Sequence, residues 1–360
     1  MITRRWFLST GLPAIAVAGC VRSEPPPTEQ APGTAERQPA PASSTAARVH
    51  LNLAHYPEVL CQVSWFLAAE RGFFAQQGLD VEFHKPDVSK PRGHSFQPPW
   101  VLGPDGPVRT DAMPIEYPAL EEMASGMLDY YVVAGEHSGC RQLVIPTSSL
   151  IRSVADLQGK RVGLRPQEDT LVWQFLIGPL KPGTGPTEWV RPPFEGGIDL
   201  PRELEWVKQE FAAGRIEAYI GADPVPEILV ADGLARRLAS NTWTPPLNGW
   251  YCCMLSVRRE LVDQHPDLPG RFTRAIRAAA ARVEKNPAEE VAFLVEKGYF
   301  SPSTRQDLSA RLLGEYVWAT TGRIEQDLER YFQLLKDAGR IPAAASPREL
   351  VKRVYRPAEA

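Results

Sequence analysis

The chain has 360 residues, a formal net charge of −3, 43% hydrophobic residues and 23% charged ones. Nearly balanced charge with no basic stripe leaves no electrostatic footprint for nucleic acid, which excludes that class of partner. Five cysteines show neither a CxxC pair nor zinc-finger spacing, so neither a redox motif nor a finger is expected.

The N-terminus reads MITRRWFLSTGLPAIAVAGC. Arg4 and Arg5 form a charged region, and 6–18 is an apolar core shorter than the ~20 residues a membrane span needs. Residues 1–20 therefore read as a cleaved export signal. Thr3-Arg4-Arg5-Trp6-Phe7-Leu8 resembles a twin-arginine (Tat) signal. Val17-Ala18-Gly19-Cys20 resembles the lipobox of bacterial lipoproteins, which makes Cys20 the lipidated first residue of the mature chain. The alternative is a plain secretory signal that ends in cysteine. Residues 21–47 are rich in Pro, Ala and Ser without large apolar side chains, and read as a disordered tether.

The body begins with RVHLNLAHY, whose apolar alternation predicts a strand over 48–56. Val63, Phe66, Leu67, Glu70 and Phe74 recur at helical spacing up to the stop at Gly78, and 79–83 is a second strand, giving a β-α-β opening. Residues 84–109 are dense in Pro and Gly and read as a long loop, of a length that is often functional. A helix over 115–125, a strand over 128–134 and another over 140–145 follow. Ser153 and Asp156 form a capping box. Strands are expected over 161–164, 218–220 and 250–257, with a helix over 201–213. Phe272, Ile276, Ala279, Ala280 and Val283 share a helical face, as do Ile324, Leu328, Phe332 and Leu335, and Ser346-Pro347-Arg348-Glu349 caps a last helix. This alternation implies an α/β class with covered parallel sheets.

LAAERGFFAQQGLDVEF, with Ala69-Glu70-Arg71-Gly72-Phe73-Phe74 and Gly78-Leu79-Asp80-Val81-Glu82, resembles the ABC-importer solute-binding proteins for nitrate, sulfonates, taurine and thiamine-pyrimidine precursors. IRSVADLQGKRVGL, GRIEAYIGADP (Glu217 in place of the usual Asp) and SVRRELVDQHPDLPGRFTRAIRAA resemble further family segments in the same order, so the likeness spans 48 to about 300. It implies a type II periplasmic binding protein fold: two α/β lobes joined by a two-strand hinge, with the solute between them. Lobe one is expected at 48–143 and 253–360, lobe two at 144–252. The 84–109 segment, with His84, His94, Phe96 and Trp100, departs from the family's short turn and ligand-contacting helix, so solute specificity does not carry over.

Ligands in such folds sit at the carboxyl ends of strands. The candidate ligand contacts are His55, Tyr56, Asp111, Glu116, Glu136, His137, Ser138, Arg165, Thr170, Asp223, Trp250 and Tyr251. Alternatives stand beside them: His55 and Tyr56 can pack at a strand end, Arg165 can pair with Asp169 on a solvated face, and Asp223-Pro224 can serve as a turn. Trp250 and Tyr251 suit pocket walls. If the crossings are placed correctly, Cys140 meets Cys252 and Cys253 at the hinge near His137. Those four residues are candidates for a soft metal, a bridge or simple packing.

The expected function is a lipid-anchored extracytoplasmic solute-binding protein, a monomer that delivers a small organic or anionic solute to an ABC permease and its ATPase, with no cofactor. The alternatives are a metal- or thiol-dependent enzyme resembling pyrimidine-precursor synthases, and a solute sensor for a signalling partner.

Overall fold

The computed structural model describes residues 48–56, 59–87, 99–165, 168–194, 199–318 and 323–358. The export signal, Cys20, the tether, and His94 and Phe96 lie outside the described residues.

The chain opens with β1 (Val49–Ala54), a helical stretch, and β2 (Leu79–His84), which pairs in parallel with β1 from Val49–Leu79 to Ala54–His84. The intervening helix is split. Leu60–Gln62 and Val63–Glu70 form one piece and Phe73–Gln76 a second, because Gly72 takes φ 74° and interrupts the periodic pattern. An L side chain at that backbone conformation would be strained, so glycine permits the break.

Part of the expected 84–109 loop is a hairpin, β3 (Trp100–Gly103) with β4 (Gly106–Arg109). Its Pro and Gly content reads as loop, yet Val101 is fully buried and Leu102 N–H donates to the Lys85 carbonyl at 2.8 Å. Burial and backbone bonds outweigh the weak local propensity. A short strand, β5 (Ala112–Ile115), precedes the helix Tyr117–Ser125. Then β6 (Tyr130–Ser138) runs longer than the apolar pattern indicates and carries Glu136, His137 and Ser138 inside the sheet.

The chain leaves this sheet at Gly139-Cys140 and builds a second one. Its strands are β7 (Arg141–Pro146), β8 (Arg161–Leu164), β9 (Glu188–Val190), β10 (Ala218–Ala222) and β11 (Ala235–Ser240). The Ser153–Asp156 capping box is present and opens a single 3₁₀ turn. The chain returns through β12 (Cys253–Arg258) and adds β13 (Val317–Trp318) at the edge. The strand orders are β13-β6-β12-β5-β1-β2 and β11-β7-β10-β8-β9. Both sheets are mixed rather than purely parallel: β12 runs antiparallel to β5 and β6, and β7 antiparallel to β10 and β11.

Helices cover the faces. Leu268–Lys285 buries Phe272, Ile276, Ala279, Ala280 and Val283, with Phe272 against Trp65 and Phe74. Each such fully buried large apolar side chain contributes roughly 1.5–3 kcal/mol. Ile324–Asp337 buries Leu328, Tyr331, Phe332 and Leu335 against Tyr117, Leu120 and Tyr130. Leu143, Ile145, Leu164 and Ile220 pack with Trp173 on the second sheet, and Val144 and Tyr219 pack with Trp206 and Val225.

Candidate functional site

A cavity of about 50 Å³ is lined by Glu116, Tyr117, Arg141, Glu168, Asp169, Trp173, Asn241, Trp250, Tyr251 and Cys252, with Pro118, Val172 and Leu247. One water needs roughly 10–15 Å³ by this measure, so the space is several times larger. Both sheets contribute: Glu116 follows β5, Arg141 opens β7, Glu168 and Asp169 follow β8, and Asn241 follows β11. The helix Thr170–Ile177 starts here, its first turn capped by Asp169, whose carboxylate accepts from Leu171 N–H at 2.9 Å.

The cavity's electrostatics centre on Arg141. Its guanidinium contacts the Glu116 carboxylate, lies 3.0 Å from Glu168 through Nε, and donates from Nη1 to Cys140 Sγ at 3.4 Å. Arg141 is buried, and the two acids raise its proton affinity against the effect of burial. Glu168 also accepts from Trp173 Nε1 at 3.0 Å, and burial pushes its carboxyl up despite the pull of Arg141. Asp169 accepts from the Tyr331 hydroxyl. Among the described residues Arg141 is the one guanidinium in the lining, and it is held between two carboxylates, which offset its positive charge.

The walls are aromatic. Trp250 packs edge-on to Tyr117 at 5.7 Å and lies 6.0 Å from Phe175. Tyr117 Oη and Trp250 Nε1 are buried without a hydrogen-bond partner. Burying such groups unpaired costs on the order of 1–3 kcal/mol each. Tyr251 is held by its backbone N–H, which donates to Asp327 Oδ2 at 3.3 Å. Its ring lies over Gly135 of β6, where an added Cβ would sit 2.1 Å from Tyr251 Cε1.

Of the candidate ligand contacts, Glu116, Trp250 and Tyr251 line this cavity and the others do not, while Cys252, a candidate for metal or a bridge, also lines it. His55 packs against Phe66 at 5.2 Å and Tyr299 at 5.4 Å, and burial lowers its proton affinity. Tyr56 is buried beside Gln62, whose Oε1 accepts from the Tyr56 N–H. Asp111 joins a structural network, accepting from Asn52 and from Arg258 Nη2 at 2.7 Å. Glu136 accepts from Ser64 Oγ at 2.9 Å and Trp65 Nε1 at 2.7 Å, and burial pushes it up to about 7. Ser138 pairs with Val317 of β13.

Arg165 is buried beside Glu168 and Glu203 rather than on a solvated face with Asp169. Thr170 is the first residue of its helix, half-buried and outside the cavity lining. Asp223 accepts from the Tyr316 hydroxyl at 3.2 Å, and its N–H donates to the Cys140 carbonyl. Arg141, Glu168, Asp169 and Asn241 were absent from the candidates.

The cysteines converge. Cys140 and Cys252 are disulfide-bonded, which ties the two chain crossings together. Cys61, His137, Cys140 and Cys253 have ligand atoms all within 4.8 Å of one another, and all four are buried. His137 faces Cys253 in β12 on one side and Trp318 in β13 on the other, and stacks on Tyr316 at 4.9 Å and 10°. Burial opposes a proton on His137, but Cys61 and Glu136 raise its affinity more. The hydrogen bond with Cys253 holds Cys61 well below the usual thiol range and pushes Cys253 up.

No family model and no curated protein matches the chain. Solved structures do. The alkanesulfonate-binding protein SsuA of Xanthomonas axonopodis pv. citri, bound to MOPS, aligns at 17% identity over 87% of this chain and 99% of its own, with a TM-score of 0.61. The periplasmic nitrate-binding protein NrtA of Synechocystis PCC 6803 aligns at 15% identity over 86% of each chain, also at 0.61. The desulfurization enzyme DSZB aligns at 16% identity over 86% of this chain and 97% of its own, at 0.55. The fold is therefore the type II periplasmic binding fold, two α/β lobes joined by a two-strand hinge. Because that fold carries both binding proteins and an enzyme, function must be argued from the cavity.

Proposed function

We propose that the chain is an extracytoplasmic solute-binding protein of an ABC importer, lipid-anchored through Cys20 and held off the membrane by the 21–47 tether. Lobe one would comprise 48–143 and 253–360, and lobe two 144–252. The distribution of strands between the sheets supports a division of this kind, although β7 (Arg141–Pro146) belongs whole to the second sheet and favours an outgoing boundary at Gly139-Cys140. The cavity, built from residues of both sheets, is the solute site, and closure of the lobes requires that solute favour the closed arrangement.

The observation that carries the reading is the cavity's composition: flat aromatic walls, two unpartnered polar atoms on Tyr117 and Trp250, and a guanidinium already neutralised by Glu116 and Glu168. A bare anion such as nitrate would find no unpaired cation among the described lining residues. A compact, flat organic solute fits better. Its amine or protonated ring nitrogen would meet Glu116 and Glu168, its acceptor atom the Trp250 N–H and Tyr117 hydroxyl, and its ring the indole. Among the described residues the lining holds no serine, threonine, histidine or free thiol, and its carboxylates are engaged with Arg141, Leu171 N–H and the Tyr331 hydroxyl, which supports binding over turnover.

The test is a thermal-shift screen of small solutes grouped by charge. Binding at a hundredfold excess over Kd stabilises by about 2.7 kcal/mol. Flat amino-heteroaromatic compounds are expected to raise the Tm, whereas nitrate and alkanesulfonates leave it unchanged. A Tm raised by the anions alone overturns the assignment.

A further inference from the structure

The solute cavity does not account for the buried cluster behind it. Four cysteines and a histidine come from three separate parts of the chain: Cys61 in the 3₁₀ turn before the first helix, His137 and Cys140 at the outgoing crossing, and Cys252 and Cys253 at the return. Packing alone does not require every cysteine of the described residues to meet at one point. Nor does it explain why the ring nitrogens of fully buried His137 have no oxygen or nitrogen partner, with only the Cys61 thiol close enough to favour its proton.

We propose that Cys61, His137, Cys140 and Cys253 form a closed site for one soft metal ion, zinc(II) or copper(I), which becomes available when the Cys140–Cys252 bridge is reduced. Three thiolates and an imidazole match the preferences of those ions, whereas magnesium and calcium seek oxygen donors. A tetrahedral zinc with Zn–S of ~2.3 Å sets its ligand atoms about 3.8 Å apart. The four ligand atoms here lie within 4.8 Å of one another, so a contraction of about 1 Å completes the shell.

The surroundings suit such a centre. Three thiolates around a zinc(II) ion leave one negative charge, and the Arg141 guanidinium already donates to Cys140 Sγ at 3.4 Å. Stacking on Tyr316 fixes the plane of His137, the orienting task usually given to a supporting hydrogen bond. The same Arg141 lines the solute cavity, as does Cys252, so the centre and the proposed solute site share a wall.

The bridge acts as the gate. A dithiol reductant supplies two electrons and two protons to the Cys140–Cys252 S–S bond, is itself oxidised to a disulfide, and leaves two thiols. On metal binding the Cys61, Cys140 and Cys253 thiols release their protons to solvent. Cys252, whose sulfur lies 3.7 Å from Cys253 Sγ while the bridge is intact, is left as a thiol outside the proposed ligand set.

The experiment titrates the mature protein with cobalt(II), a spectroscopic stand-in for zinc, under anaerobic conditions, with and without prior reduction by a dithiol that is then removed. The reduced protein is expected to take up one equivalent, with thiolate-to-cobalt charge transfer and tetrahedral d–d bands, and the bridged protein none. Cys252→Ser, which cannot form the bridge, should bind one equivalent with no reductant at all. Cys61→Ser, His137→Ala and Cys140→Ser should each weaken binding by more than the roughly 10–100-fold that loss of a supporting residue costs. The proposal is overturned if reduced wild type takes up neither cobalt(II) nor, in a parallel anaerobic titration, copper(I), if C252S still requires reductant, or if C140S binds as tightly as the reduced parent. Reduced wild type and C252S test it independently should either fold poorly.

Discussion

Asp327 offers the sharpest test of how the cavity wall is held. It sits fully buried on the helix Ile324–Asp337 and accepts the Tyr251 N–H at 3.3 Å, with Arg330 Nη1 3.6 Å from its other oxygen. Burial pushes its carboxyl from 3.8 up to about 6, with the Tyr251 N–H and the nearby arginines opposing. The folded protein thus retains a proton on Asp327 that the unfolded chain releases between those values. Stability is complete below the unfolded value, falls as pH rises through the window and is flat above it. At about 1.4 kcal/mol per pKa unit the loss is about 3 kcal/mol at most, and partial access of solvent near Arg330 reduces it to about 2 kcal/mol.

Asp327→Asn keeps an acceptor for Tyr251 and removes the titration. Urea denaturation of both proteins from about pH 4 to about pH 8 reads the difference. Carboxyls that burial raises elsewhere, such as Glu168 and Asp223, titrate in both proteins and cancel. The variant should gain about 2 kcal/mol on wild type across the window. Parallel profiles, agreeing to within roughly 0.5 kcal/mol, would refute the placement of a protonated, buried Asp327.

Three further outcomes follow from the same contacts. Arg141→Met strands Glu116 and Glu168 in a buried site and should cost about 3–5 kcal/mol in denaturant titration, with Glu168→Gln in the same chain recovering part of it. Gly135→Ala places a Cβ 2.1 Å from Tyr251 Cε1, so the ring must leave the cavity; solute affinity measured by calorimetry should drop while circular dichroism stays unchanged. Reducing the Cys140–Cys252 bridge, whose cysteines lie 112 residues apart, should lower stability by about 2–4 kcal/mol. An unchanged denaturation midpoint would show that the bridge does not form in the folded protein.

The strand and helix pattern was legible wherever local periodicity coincided with burial, as in Val49–Ala54, Leu268–Lys285 and Ile324–Asp337. It failed where tertiary context decided. The 100–109 hairpin is stabilised by Val101 burial and backbone bonds to 85–87, which its Pro-Gly composition conceals. Trp250, Tyr251 and Glu116 were readable as cavity residues because aromatic and acidic groups next to strand ends suit that role. Arg141 reads locally as the polar start of an apolar strand, and only its two carboxylate partners, which converge from Glu116 and Glu168, reveal its position. Asn241 carries no local signal at all. Glu136 and His137 look like loop residues after an apolar run, yet β6 continues through them because β12 and β13 pair on either side. Cys61 shows the same limit: a lone cysteine at the start of a helix gains meaning only beside His137 and Cys253.

The most direct measurement is a structure of the protein with the strongest hit from the solute screen. The account predicts the ligand in the Glu116–Arg141–Trp250 cavity. Its positively charged or N–H-bearing group would face Glu116 and Glu168, its ring would lie against Trp250, and an acceptor atom would receive the Trp250 N–H. An anion seated directly on Arg141 with Glu116 and Glu168 displaced, or a ligand bound outside this cavity, would contradict it.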